Sequence, residues 1–430
     1  MKKIIIIGGG FAGINLARHL NTAQETEVTL VDRNNYNFFP PLLYQVATGF
    51  LEVSSISYPY RKLFRESKTL RFKLGEFVRV DAARRMVVLS SGSLVYDVLV
   101  FATGAQTNYF GNGNVRQNAV PMKTLNDALN LRNHFLRNLE LAASSKNRSE
   151  VKKRLTTIIA GAGPTGVEVS GMLAEMKNSI LKQEYPEILE MGIPSRIILV
   201  DGGTKVLAPM SERAQRYTHE SLIKMGVEVR LGTQVKDYMN DMVTFSNGEQ
   251  IETTTLVWAA GVSVSVLEGI PESCYGRGGR LLVNQFNGIT GLEDIYAIGD
   301  TSLQVSDPGF PAGHPQLAQV AIQQGKRLAR NLMLAMESKK MVPFQYHDKG
   351  SMAIIGRGKA VADLPSPKLH FTGFFAWAMW LFVHLLSLVK FSNKLRTFLN
   401  WTLAYLGGDQ SLRMMIIIKP GAIEERKASN

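Results

Sequence analysis

Apolar positions recur along this chain in two rhythms. Short, nearly unbroken runs stand at Ile4–Ile7, Val28–Val31, Val98–Phe101, Thr156–Ala160 and Ile197–Val200. Runs of this kind that stop at glycine or acid read as strands buried on both faces, as in a parallel sheet. Between them, Phe11–Leu20, Lys123–Leu141 and Val167–Lys177 carry apolar residues at helical spacing. Arg71 to Val100 alternates apolar and polar residues around turns at Gly75 and Ser91–Gly92, which predicts a small antiparallel excursion. Leu256 to Val262 and Asp294 to Asp300 read as two further strands, the first ending in small residues and the second in Gly-Asp. The alternation predicts an α/β fold.

One order of elements occurs twice. The strand Ile4–Ile7 runs into Gly8, Gly10 and Gly13, then a helix, then a strand closed by Asp32. The strand Thr156–Ala160 runs into Gly161, Gly163 and Gly166, then a helix, then a strand closed by Asp201. A single GxGxxG is a weak signal. In register with strand, helix and acid it is the dinucleotide fingerprint. The glycines admit a pyrophosphate to the helix N-terminus, and the acid accepts from a ribose. Two fingerprints predict two bound dinucleotides. A carboxylate at Asp201 would repel a 2′-phosphate, and Gly202 and Gly203 follow it with no arginine, so NADH is favoured over NADPH. Lys205 is the one nearby cation. Glu168 follows the second turn, either as a partner of the helix dipole or directed toward the nicotinamide end. Asp300 can accept from ribityl hydroxyls, or it caps a turn.

Length and charge narrow the picture. A chain of 430 residues calls for two or three domains. The formal charge of +13 suits an anionic membrane or nucleic acid, but no nucleic-acid-binding motif accompanies it. Cys274 is the single cysteine, so neither an intrachain disulfide nor a cysteine-built metal site is expected, and no metal is assigned. The first apolar run is too short for a signal peptide.

Near the C-terminus, Gly373 to Val389 (GFFAWAMWLFVHLLSLV) is borderline for a membrane span. His384, Ser387, Lys390 and Lys394 recur at three- and four-residue steps and predict a polar stripe. Trp401 and Tyr405 mark a second apolar stretch. Amphipathic helices lying in a membrane interface are therefore expected, steered by an anionic surface. Deletion from Gly373 onward is expected to leave a soluble protein with its first dinucleotide still bound.

The order GGGFAG, ATG (Ala102–Gly104), GAGPTG and AIGD (Ala297–Asp300) resembles the two-dinucleotide-binding-domain flavoproteins. Within them PLLYQVATG (Pro41–Gly49), GAGPTGVEVSG (Gly161–Gly171), WAAGV (Trp258–Val262), AQVAIQQG (Ala318–Gly325) and KGSMAIIGR (Lys349–Arg357) resemble the type II, non-proton-pumping NADH:quinone oxidoreductases. The resemblance implies two Rossmann-like domains and a C-terminal amphipathic membrane-anchoring segment. It implies an FAD domain in two parts (1–120 and 271–335), an NADH domain (121–270), and a membrane-association and dimerisation region (336–430). FAD would fall on Gly8, Gly10, Phe11, Ala12, Gly13, Asp32, Ala102, Thr103, Gly104, Gly299, Asp300 and Ala318. NADH would fall on Gly161, Gly163, Thr165, Gly166, Asp201, Ala260 and Gly261. Glu168, Gln319 and Gln323 would be catalytic, with the two glutamines where flavin and quinone meet. Asn37 and Asp201 depart from the family's usual His and Glu.

The implied reaction passes a hydride from NADH to FAD and two electrons to a membrane quinone. The implied place is the cytoplasmic face of the cell inner membrane, as a peripheral homodimer without nucleic acid. One cysteine excludes the redox pair of a sulfide:quinone oxidoreductase. An NADH-dependent reductase of a protein electron carrier, or a non-catalytic NADH sensor, is the alternative.

Overall fold

The computed structural model describes residues 1–21, 25–365, 367–407 and 414–415. The chain gathers into two compact units. One comprises Met1–Phe38, Ser57–Asn108 and Gly261–Gly350; the other comprises Phe39–Ile56, Tyr109–Ala260 and the chain from Ser351 onward.

The first unit is built on a parallel sheet in the order Ile295–Ala297, Val98–Phe101, Lys2–Ile7, Thr26–Asp32, Leu70–Leu74. Its β-branched strands are buried on both faces, and Ile4 to Ile7 are each no more than 4% exposed. One face packs on Val80, Val87 and Leu89 of a three-stranded antiparallel sheet. That sheet begins at Phe77, not Arg71: Leu70–Leu74 pairs in register with Val28–Asp32 and so joins the parallel sheet. The helix Phe11–Leu20 lies along the helix Ala318–Met336. Gly325 makes this possible, because a side chain there would strike the Ala12 backbone.

The second unit repeats the plan with the parallel order Val120–Pro121, Thr255–Trp258, Thr156–Ala160, Arg196–Asp201, Val227–Leu231. The helix Leu125–Ala143 starts at a capping box, in which Thr124 and Asp127 satisfy each other's backbone N–H groups. The helix after the second glycine turn runs Pro164–Glu184, well past the expected Lys177. Its Gly171 lies flush against the Ile355 carbonyl of an antiparallel sheet made of Ser351–Gly356, Lys359–Pro365 and Lys368–Thr372. The segment PLLYQVATG and the proline before it are compactly folded. They form a 3₁₀ turn Pro40–Leu42 and a short helix Leu43–Ala47, of which the helix is buried throughout.

Two helices end this unit, Phe374–Ser387 and Phe391–Gly407. Their polarity differs from the expected stripe. Of that stripe Ser387 is exposed, but His384 is only partly so; its ring stacks on Trp380 with centroids 3.8 Å apart. On the second helix Asn393, Thr397 and Trp401 are at most 4% exposed, whereas Phe391 is 77% and Leu403 65% exposed. The polar seam is used inward: Asn393 donates to the Ser54 and Ser55 carbonyls at 3.0 Å, and Asn400 to the Ser55 hydroxyl at 3.0 Å. The backbone of 54–55 needs those partners, so the apolar side is left outward. Among the described residues no helix is long and apolar enough to cross a membrane.

Candidate functional site

Both glycine turns adopt one geometry. Gly8 (φ +102°) and Gly161 (φ +106°) stand in the left-handed region and back onto the carbonyls of Ala102 and Ala259, where no side chain fits. Gly10 and Gly163 face open space. They precede the helices Phe11–Leu20 and Pro164–Glu184, and no side chain caps either N-terminus. An uncapped helix N-terminus beside a bare glycine forms a cradle for phosphate oxygens.

Each acid closes its own turn. The Asp32 carboxylate accepts the Gly9 and Asn34 N–H groups, both at 2.7 Å. Asp201 accepts the Ala162 and Gly203 N–H groups, both at 2.6 Å. Each carboxylate oxygen keeps a lone pair for a ribose hydroxyl. Burial pushes the Asp32 carboxyl above its usual value, and the Asn34 and Gly9 amides pull it back. Lys205 reaches Glu212 at 3.3 Å, an exposed pair.

In the first unit the sheet brings the ATG turn and the Gly-Asp turn together. Thr301 donates to the Gly104 carbonyl at 3.2 Å, and the Thr103 hydroxyl lies 3.1 Å from the Thr301 hydroxyl. A side chain at Gly299 would meet Ala12 and Ala321, so the first fingerprint, Asp300 and the start of the helix Ala318–Met336 converge. The Gly299 N–H donates to Gln324 at 2.7 Å. Arg280 is 7% exposed, and its Nε finds no partner among the described residues. Asp300 acts on its charge. An orphaned guanidinium donor beside Asp300 and an uncapped glycine turn fit a cofactor that carries a pyrophosphate and a polyol.

Gln319 and Gln323 share one face of their helix, as their spacing predicts, and both are already engaged. Gln319 donates to the Gly350 carbonyl at 2.9 Å and accepts the Lys349 N–H at 3.0 Å. Gln323 donates to the His347 carbonyl at 2.8 Å and accepts the His347 N–H at 3.0 Å. The pair holds 347–350 as a strand partner would. Each amide keeps one N–H and one lone pair.

In the second unit Glu168 sits one turn inside its helix, too far in to serve the N-terminal dipole. It is 9% exposed. Burial holds its carboxyl well above the usual range, against the Ile354 N–H that donates to it. Tyr44, 2% exposed, is near enough for the Glu168 charge to raise its phenol further. Thr165 is exposed at the head of the helix, and Ala260 follows the strand Thr255–Trp258. In the first unit the Gly261 carbonyl accepts the Asn108 N–H at 3.0 Å.

Several residues escape local pattern reading. Tyr60 and Asn37 donate to the Gly9 carbonyl at 2.8 and 3.0 Å, so Asn37, noted as a departure, buttresses the first turn. Arg280 belongs to no motif, Gln324 is a member of AQVAIQQG given no role there, and Tyr44 and Gln45 are likewise without one. The last two lie within PLLYQVATG, which was the only signal for them.

Comparison with known proteins places the chain among relatives of the same fold. Residues 2–325 match the family model described as pyridine nucleotide-disulphide oxidoreductase. Residues 348–410 match that of the NDH2 C-terminal domain. The chain is similar to two type II NADH:quinone oxidoreductases of Mycobacterium tuberculosis. It is 35% identical to Ndh, covering 94% of this chain and 88% of that protein, and 36% identical to NdhA, covering 94% and 87%. Its fold matches a structure of NDH2 from Plasmodium falciparum in complex with NADH, with a TM-score of 0.87 at 23% identity, over 97% of this chain and all of that one.

Proposed function

Because the chain belongs to the type II NADH:quinone oxidoreductases, we propose that its two glycine turns divide the cofactors, FAD on the first and NADH on the second. The observation that carries this reading is the repeated, uncapped turn, closed each time by a carboxylate with lone pairs to spare. FAD, when bound, accepts the hydride of NADH and delivers two electrons to the quinone. Asp32 accepts from its ribose, and the amides after Gly10 hold its pyrophosphate. Asp300 accepts from the ribityl hydroxyls, with Arg280 neutralising that corner. Asp201 accepts from the NADH ribose and repels a 2′-phosphate. Lys205 offers little to NADPH while it pairs with Glu212.

Glu168, kept neutral by burial, is a proton-bearing donor on the quinone side. Gln319 and Gln323 use their spare N–H groups on a quinone carbonyl. The enzyme sits peripherally on the cytoplasmic face of the inner membrane, as a homodimer, with the outward faces of the last two helices inserted. Each large apolar side chain buried there contributes about 1.5–3 kcal/mol. Each basic residue near an anionic surface adds about 1 kcal/mol. Insertion therefore holds the protein, and charge orients it.

Anaerobic stopped-flow tests the reading. NADH should bleach the flavin of the purified protein, and a short-chain quinone should restore its colour. Bleaching without recovery would remove the quinone and favour a protein electron carrier as acceptor.

A further inference from the structure

A hydrogen-bond chain of fixed direction joins the helix Phe391–Gly407 to the helix Leu43–Ala47. The indole N–H of Trp401 lies 2.7 Å from Oε1 of Gln45. An indole can only donate, so this contact fixes which end of the Gln45 amide is the carbonyl. Nε2 of Gln45 then stands 2.8 Å from the Tyr44 hydroxyl. An amide NH₂ can only donate, so the phenol oxygen is the acceptor, and the phenol proton must point elsewhere. Among the described residues none accepts it. Tyr44, Gln45 and Trp401 are 2%, 0% and 4% exposed. A buried donor without a partner is costly, so a ligand acceptor there is favoured.

The neighbour that matters is Glu168. The helix Leu43–Ala47 packs on the helix Pro164–Glu184, and the two acidic groups feel each other. One carboxyl oxygen of Glu168 takes the Ile354 N–H, and with the carboxyl neutral the other carries a proton. No hydrogen bond joins Tyr44 and Glu168. Two donors thus stand on packed helices with no hydrogen bond between them. A carbonyl oxygen, with two lone pairs, matches that arrangement.

We propose that the Tyr44 hydroxyl donates a hydrogen bond to a quinone oxygen beside Glu168, and that Trp401, acting through Gln45, is the positioning residue that aims it. This rests on the reading of Glu168 as the quinone-side acid. It ties the helix whose outer face is apolar to the chemistry of the molecule that would arrive from that side.

The test uses full-length, flavin-loaded Tyr44→Phe, Trp401→Phe and the double variant, with NADH and then ubiquinone-1 in stopped-flow. Tyr44→Phe should slow the quinone step about tenfold or more and leave bleaching by NADH within twofold. It should also alter the solvent deuterium isotope effect on the quinone step. Trp401→Phe should slow the quinone step less, and should add nothing once Tyr44 is Phe, because there is then no proton to aim. A merely structural role would slow both half-reactions and add in the double variant. That outcome, or a Tyr44→Phe quinone step within twofold of wild type, overturns the proposal. A wild-type protein that quinone fails to reoxidise overturns the functional reading itself, and the proposal with it.

Discussion

At the scale of residues, three carboxylates show how environment assigns chemistry. Asp32 and Asp201 are acceptors because backbone N–H groups converge on them. At Glu168 burial outweighs the one N–H it receives and holds the carboxyl well above its usual range, which suits it to the donor role proposed. The sign of its effect on stability follows. Its folded-state pKa lies above its unfolded value, so the folded state binds the extra proton, and stability falls as pH rises from the unfolded value toward the folded one. Glu168→Gln should abolish that loss: melting temperatures compared at pH 5 and pH 8 should differ less than in wild type, and a variant with wild-type pH dependence would refute a neutral Glu168. Gln323→Ala removes two hydrogen bonds to His347, about 1–3 kcal/mol together. If the amide also serves the quinone, stopped-flow should show the quinone step slowed about tenfold and flavin reduction by NADH hardly changed. Equal losses would leave Gln323 only its grip on 347–350. The acids and glycines were legible because their motif is local. The engagement of the glutamines was not, since 347–350 carries no sequence signal for it.

At the scale of elements, the last two helices reverse the usual amphipathic order. The polar positions Asn393, Thr397 and Asn400 satisfy the backbone and hydroxyl of 54–55, and Phe375, Phe398 and Leu403 are at least half exposed. His384 belongs to the same inner layer; burial lowers its pKa to about 4, so it is neutral at pH 7. Replacing Phe375, Phe398 and Leu403 together by serine should therefore weaken membrane attachment without disturbing the fold. Flotation with anionic liposomes should find most of the triple variant in the unbound fraction, with flavin retained and NADH bleaching intact. Wild type should stay bound in 1 M salt if the proposed anchoring is mainly hydrophobic. Persistence of the variant on liposomes would move the attachment to another surface. The sequence showed that a polar stripe exists, but periodicity cannot tell which side of a helix meets protein and which is left outward.

At the scale of the whole molecule, the C-terminal helices are part of a core. Trp380 is fully buried and Trp401 nearly so, with the Tyr44 and Trp380 rings 6.2 Å apart. Deletion from Gly373 onward is thus expected to uncover 42–51 and give aggregated protein, contrary to the soluble product that the sequence suggests. Size-exclusion chromatography of the truncated chain decides it, and a monodisperse, flavin-bound product would restore the view of a dispensable anchor. The sequence by itself determined the two fingerprints, their acids, the parallel sheets and the family, because strand, turn and helix signals act over neighbouring residues. Only the tertiary structure decided that Asn37 and Tyr60 hold Gly9, that Gln45 joins Trp401 to Tyr44, and which face of the last helix is outward. Those outcomes depend on which buried donors find acceptors tens to hundreds of residues away, and no local pattern carries that information.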